Sequence, residues 1–247
     1  MYQIGKSYWG KLSDVWYQKI FFKPDGLPTY TYYYKNKHGN PNTVCEIDIP
    51  ISRQLCAYKL IEKDIRETLS FHNELLKIID EPNSQILVKA LVKSVVITYG
   101  KCFVQADGRK IKLSKDIIPT QYKNVHEDLI NMRHEYIAHA GSSKLEKCSF
   151  VFLIPSEKIY RRGQMGEASV VTELYQYIYD SSFFETYKPL VSEIHKKVNE
   201  KILSLTEKLS KEIEMVPPND FYRLTTGNES RITLRDKDWE NLKSTSK

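Results

Sequence analysis

The stretch RHEYIAHAG, Arg133 to Gly141, gathers one arginine, two histidines and a glutamate within about two helical turns. These residue types transfer protons and bind anions. A histidine, with an ordinary pKa of about 6.5, can give or take a proton near neutral pH. Arginine keeps its charge and grips a phosphate through two parallel N–H groups. The segment also comes within one residue of the zinc-protease pattern H-E-x-x-H. That pattern needs imidazoles four residues apart, whereas His134 and His139 are five apart and would point about 140° away from each other. One helix cannot offer both rings to one zinc. No other His or Cys pair stands at ligand spacing, so neither a metal nor a cofactor is expected. A plainer reading stands beside the catalytic one: His139 extends an apolar stripe as a packing residue, and Arg133 is solvated or pairs with Glu127 or Asp128.

Whatever these residues do, helices must position them. Pro119 and Thr120 can open the helix that carries them, Val125, Leu129, Met132, Tyr136 and His139 continue one face, and Gly141 ends it. A helix is predicted over 52–79, with Tyr58, Ile61, Ile65, Leu69, His72, Leu76 and Ile79 on one stripe and Pro82 beyond its end. A second, over 85–99, is apolar almost all round, which predicts a central position, with Gly100 as its stop. The last, over 184–215, keeps an apolar stripe from Tyr187 to Ile213, long enough to pack along the bundle or against a second copy.

Shorter extended pieces surround these helices. PTYTYYYKN and TVCEIDIP read as two strands around the turn residues HGNPN, a hairpin or a small sheet. CFVQADGRKIKL is a hairpin about Asp107-Gly108 or a solvated linker. CSFVFLIP is a strand, YRRGQMGEAS a basic loop, and SVVTELYQYIY strand or helix. The expected organisation is a tyrosine-rich, β-containing segment over 1–50, a helical domain over 51–215 and a loosely held polar tail over 216–247. The fold class is mainly α, a helical bundle with small β additions.

Composition narrows the function classes. With 247 residues, 41% hydrophobic and 28% charged, the chain reads as a soluble globular protein. The run ILVKALVKSVVITYG is interrupted by Lys89 and Lys93 and falls short of the roughly 20 apolar residues of a span, so no membrane partner is expected. The start MYQIGKSYWGKL lacks an apolar h-region, which predicts a cytoplasmic protein. Cys45, Cys56, Cys102 and Cys148 are widely separated and read as buried thiols. A net charge of +6 permits a polyanionic partner without requiring one.

The arginine, the polar residue after it, the short spacing and the small residue before the histidine together resemble the HEPN superfamily, whose signature is R-[NDH]-x(3 to 5)-H. Here it is written Arg133, His134, Glu135, Tyr136, Ile137, Ala138, His139, and LINMRHEYIAHAG is similar to the version found in HEPN-like proteins of phage-resistance and toxin systems. The resemblance covers about 20 residues firmly and leaves out the tyrosine-rich start and the tail. It implies a HEPN-like bundle acting as a metal-independent endoribonuclease, with RNA as substrate, a homodimer as the working form and an antitoxin or defence-system component as a possible partner. Arg133 and His139 would be catalytic, His134 auxiliary, and Glu135 a support for the His139 ring. In an ideal helix Arg133 and His139 point about 120° apart, so a two-fold partner would bring Arg133 of one copy to His139 of the other. The toxin subtype silenced by nucleotide addition carries a tyrosine where Gly141 stands, so that control is not expected here. The rival reading is a non-catalytic helical dimer that binds RNA or a protein.

Spacing alone is weak. Nine arginines and six histidines produce about 0.7 chance matches, and a second match exists, Arg66 and His72 in RETLSFH. There Glu67 follows the arginine and is expected to pair with and neutralise a nearby cation, and bulky Phe71 precedes the histidine. Three other features have ordinary readings: RRGQMG as a basic turn, Tyr30 to Tyr34 as a packing strand that can also stack bases, and Lys196, Lys197, Lys201, Lys208 and Lys211 as the wet face of the last helix.

Overall fold

The computed structural model describes residues 3–35, 37, 42–105, 109–134, 146–153, 169–176, 181–224 and 231–245, and it is mainly α-helical. The chain divides into two compact units, residues 1–56 with 204–247, and residues 57–203. Two long helices, α1 (Pro50–Ile78) and α4 (Ser181–Glu214), contribute to both.

In the first unit, β1 (Ser7–Lys11), β2 (Trp16–Phe22) and β3 (Pro28–Tyr34) form an antiparallel sheet in that order. A tight turn joins β2 to β3: Gly26 takes φ 80°, and the Leu27 N–H donates to Asp25 Oδ1 at 2.8 Å. That local turn decides the partner of β3. The two strands expected to flank HGNPN both exist but do not pair with each other. β4 (Val44–Asp48) instead runs parallel to β7 (Arg231–Arg235), with Ile47 opposite Leu234.

The described residues of 216–247 are therefore no loose tail. They supply α5 (Pro218–Leu224), β7 and α6 (Asp236–Thr245), and Val216, Leu234 and Trp239 are buried with Ile49. Arg53 bridges Asp48 at 3.1 Å and Asp236 at 2.9 Å. Trp239 Nε1 donates to Glu212 Oε2 at 3.3 Å, and that bond, with one from Lys243, holds the Glu212 carboxyl below its usual range. A polar composition hides these few apolar anchors, whose partners lie far away in sequence.

The second unit is built from helices. The start of α1 still belongs to the first unit: Pro50 opens the helix with its fixed φ, and the Ser52 hydroxyl accepts from the Ile49 N–H at 3.0 Å. The buried face of α1 carries Ala57, Ile61, Ile65, Thr68, His72 and Leu75, rotated slightly from the expected stripe. The stripe of α4 from Phe184 to Ile202 is buried within this same unit. α2 (Gln85–Lys101) buries Val88, Val92, Val95, Val96 and Tyr99 but exposes Ile86 and Leu87, so it is one-sided rather than central. Two 3-10 turns, Lys115–Ile117 and Thr120–Tyr122, lead into α3 (Lys123–Asn131). β5 (Glu146–Leu153) and β6 (Ser169–Gln176) form an antiparallel ladder, so the ambiguous SVVTELYQ is a strand.

Asp107-Gly108 and most of the RRGQMG loop's neighbourhood, 154–168, lie outside the described residues. The described flanks of Asp107-Gly108 carry no strand; the Leu113 N–H donates to the Cys102 carbonyl at 2.8 Å. Of the cysteines read as buried, Cys102 is buried, Cys45 half-buried and Cys56 exposed. No helix among the described residues is long and apolar enough to cross a membrane.

Candidate functional site

The helix carrying Arg133 is regular only as far as Asn131. The Met132 N–H reaches back to the carbonyls of Asp128 and Leu129, and 132–134 then widen into a π turn. The uniform 100° step of an ideal helix therefore does not hold at the first two residues of the motif, Arg133 and His134. Arg133 is half-buried at this turn, and its stem lies across Gly100 of α2. A Cβ built on Gly100 would overlap the Arg133 Cδ and stand 3.0 Å from Nε and 3.3 Å from Cγ. Gly100 does not stop α2, which continues to Lys101. Its missing side chain makes the seat of the arginine.

The residue before Gly100 fixes the same helix at a second point. Tyr99 Oη lies 2.7 Å from His126 Nδ1, two turns before Arg133. Burial raises the Tyr99 phenol well above its ordinary pKa, so it stays protonated and can donate to the imidazole. Burial, with Lys115 nearby, lowers the His126 pKa, and Glu127 opposes this. A neutral ring accepting at Nδ1 suits that bond. Phe103 closes over His126 with centroids 4.6 Å apart, and Tyr187 of α4 backs Tyr99 at 5.6 Å. Consecutive residues of α2 thus hold α3 by a hydrogen bond and a close approach.

Neighbouring cations have other employment. Arg109 pairs with Asp64 of α1, a carboxylate only 3% exposed, which Lys101 also reaches at 3.3 Å. Cys102 lies beside them, and burial with the Asp64 charge pushes its thiol up to about 12, far from a nucleophile. Arg66 is held by Glu62 at 2.5 Å. Glu67 pairs with a nearby cation as expected, and that cation is Lys63 one turn earlier, at 3.2 Å. Among the described residues no carboxylate pairs with Arg133, Glu127 and Asp128 included.

His134 is exposed. Glu135 and His139 lie outside the described residues, so of the predicted site residues only Arg133 and His134 are placed. What they form is a cation with a fixed stem beside a solvent-facing imidazole, an arrangement suited to holding a phosphate. Among the described residues no group of three His, Cys, Asp or Glu side chains could hold a metal ion. Sequence reasoning missed Tyr99, Gly100 and His126 as positioning residues. The available signal was a glycine inside an otherwise apolar helix, which marks close approach as readily as a helix end. No protein-family model, curated protein or solved structure matches this chain.

Proposed function

We infer that the chain is a HEPN-type, metal-independent endoribonuclease with a HEPN-like helical fold, acting as a cytoplasmic homodimer in a toxin or phage-defence setting. The reading rests first on the sequence resemblance at Arg133, His134 and His139. The structural observation that supports it is the seating of Arg133: its stem is braced on Gly100 at a π turn, a helix irregularity frequent at functional sites.

The chemistry follows from the residue types. Cleaving RNA without a metal needs a base for the 2′-hydroxyl proton, a cation for the charge building on the phosphate and an acid for the leaving 5′-oxygen. Arg133 is the cation, His139 of the partner copy the acid, Glu135 a support for that ring, and His134 an auxiliary group. Fixing the arginine before substrate arrives lowers the reorganisation needed in the transition state. An antitoxin or other defence component would act by covering this site.

The test is cleavage of unstructured RNA by purified protein in chelator, with Arg133→Ala and His139→Ala compared and product ends identified. The proposal expects 2′,3′-cyclic phosphate ends and loss of cleavage in both variants. Cleavage unchanged in both variants, or cleavage only with a divalent metal, would reject this mechanism, and no cleavage under either condition would favour the non-catalytic dimer. Light scattering should report two copies per particle.

A further inference from the structure

The sheet of β1, β2 and β3 contains no fully buried residue. An antiparallel sheet ordinarily packs one face on a core, so large rings left at the surface need another explanation. Directly opposed residues share a face, and alternate residues return to it. One face therefore carries Lys11, Tyr17 and Tyr33 in one row and Trp9, Lys19 and Thr31 in the next. Phe21 follows in the third row, and Trp9 and Phe21 are 41% and 38% exposed.

On this face Trp9 and Tyr33 have centroids 5.1 Å apart. Lys19 Nζ stands 5.8 Å from the Trp9 ring, and Lys37 Nζ stands 5.0 Å from the Tyr17 ring and 6.0 Å from Trp9. The three strands contain no Asp or Glu. Up to residue 43 the chain holds Lys6, Lys11, Lys19, Lys23, Lys35 and Lys37 against Asp14 and Asp25 alone, a surplus of four out of the net +6. Asp14 engages Lys11 at 2.9 Å, and among the described residues no carboxylate pairs with Lys19 or Lys37.

The geometry points to this face as a binding platform for single-stranded RNA. Open rings stack bases, and adjacent ammonium groups hold the phosphate backbone. A duplex hides its base faces, and an acidic peptide offers charge with no planar groups for the rings. On binding, Lys19 and Lys37 exchange ring contacts for phosphate contacts. This deepens the ribonuclease reading by naming the form of its substrate, and rests on that reading only for the link to cleavage.

A fluorescein-labelled 2′-O-methyl uridine 12-mer, which lacks the attacking hydroxyl, isolates binding from cleavage in the full chain. Anisotropy should show single-strand binding that Trp9→Ala weakens about tenfold and Trp9→Phe largely keeps. Lys19→Gln and Lys37→Gln should each reduce the salt slope by about 0.7. Should Trp9→Ala fail to fold, quenching of the native tryptophan fluorescence by the same 12-mer decides instead, and no quenching overturns the inference. Equal binding by folded Trp9→Ala, or tighter binding to duplex, poly-glutamate or anionic vesicles, overturns it as well. Separate runs with unmodified RNA keep the two ideas apart. Trp9-dependent binding without cleavage removes the ribonuclease reading alone, whereas Arg133-dependent cleavage without Trp9-dependent binding removes the platform alone.

Discussion

Arg66 with His72 and Arg133 with His139 have the same six-residue spacing, yet the two arginines stand in different surroundings. Arg66 sits on the exposed side of α1, tied to Glu62, while His72 is 0% exposed and faces the core, its Nε2 2.7 Å from the Phe184 carbonyl oxygen. A substrate reaching one cannot touch the other. Arg133 is instead half-buried on Gly100, next to exposed His134. The difference teaches that equal spacing does not bring equal accessibility or charge balance. A cation already neutralised by a carboxylate has little left for a phosphate, and an imidazole sealed in a core has no proton to exchange with solvent.

The contrast predicts its largest effect in catalysis. Arg133→Ala should lower RNA cleavage in chelator about 10²–10³-fold, the usual cost of losing a donor to developing charge, while Arg66→Ala leaves the rate unchanged. Equal losses in the two variants would dissolve the distinction.

Stability should show the reverse order. His72→Ala opens a cavity beside Tyr187 and removes the bond to Phe184, costing about 2–4 kcal/mol in urea unfolding. His134→Ala, on an exposed ring, should stay within about 0.5 kcal/mol of the parent. Matching midpoints would show that His72 is not a core residue in solution.

A gentler probe is Gly100→Ala. The new Cβ occupies the space of the Arg133 Cδ, so the half-buried arginine must swing off its seat. Cleavage should fall about tenfold, while helix propensity favours alanine by about 0.5–1 kcal/mol and keeps the chain folded. An unaltered rate in a folded variant would mean the seat does not matter to the chemistry.

The same buried rings make stability depend on pH. Burial lowers the pKa of both His72 and His126 from 6.5, so the unfolded chain binds protons that the folded chain refuses. Their contribution is present above pH 6.5 and is lost as pH falls from there through the depressed folded values, at up to about 1.4 kcal/mol per pH unit for each ring. Denaturation midpoints that stay flat on acidification would show that neither ring is held neutral.

Much of the helical framework was legible because amphipathic period is a local signal. Helices over 52–79, 85–99 and 184–215 were read within a few residues of Pro50–Ile78, Gln85–Lys101 and Ser181–Glu214. Tyr187, Leu190, Ile194, Val198 and Ile202 of the expected stripe are all buried, because 3.6-fold spacing leaves few ways to bury it, and Val191, outside that stripe, joins them. At the candidate site, Arg133 and His134 were legible as residue types, whereas the π turn and the roles of Tyr99 and His126 were not. Those depend on one helix lying against another.

Order along the chain was thus enough to write the helices and nominate a phosphate-binding arginine, since both rest on spacing and intrinsic charge. Packing chose the rest. It paired β4 with β7 across most of the chain, turned an apparent tail into part of a core around Trp239, and made Gly100 a seat rather than a stop. Such outcomes come from contacts between distant segments, and hydrophobic period, which reads only a few neighbours at a time, carries no record of them.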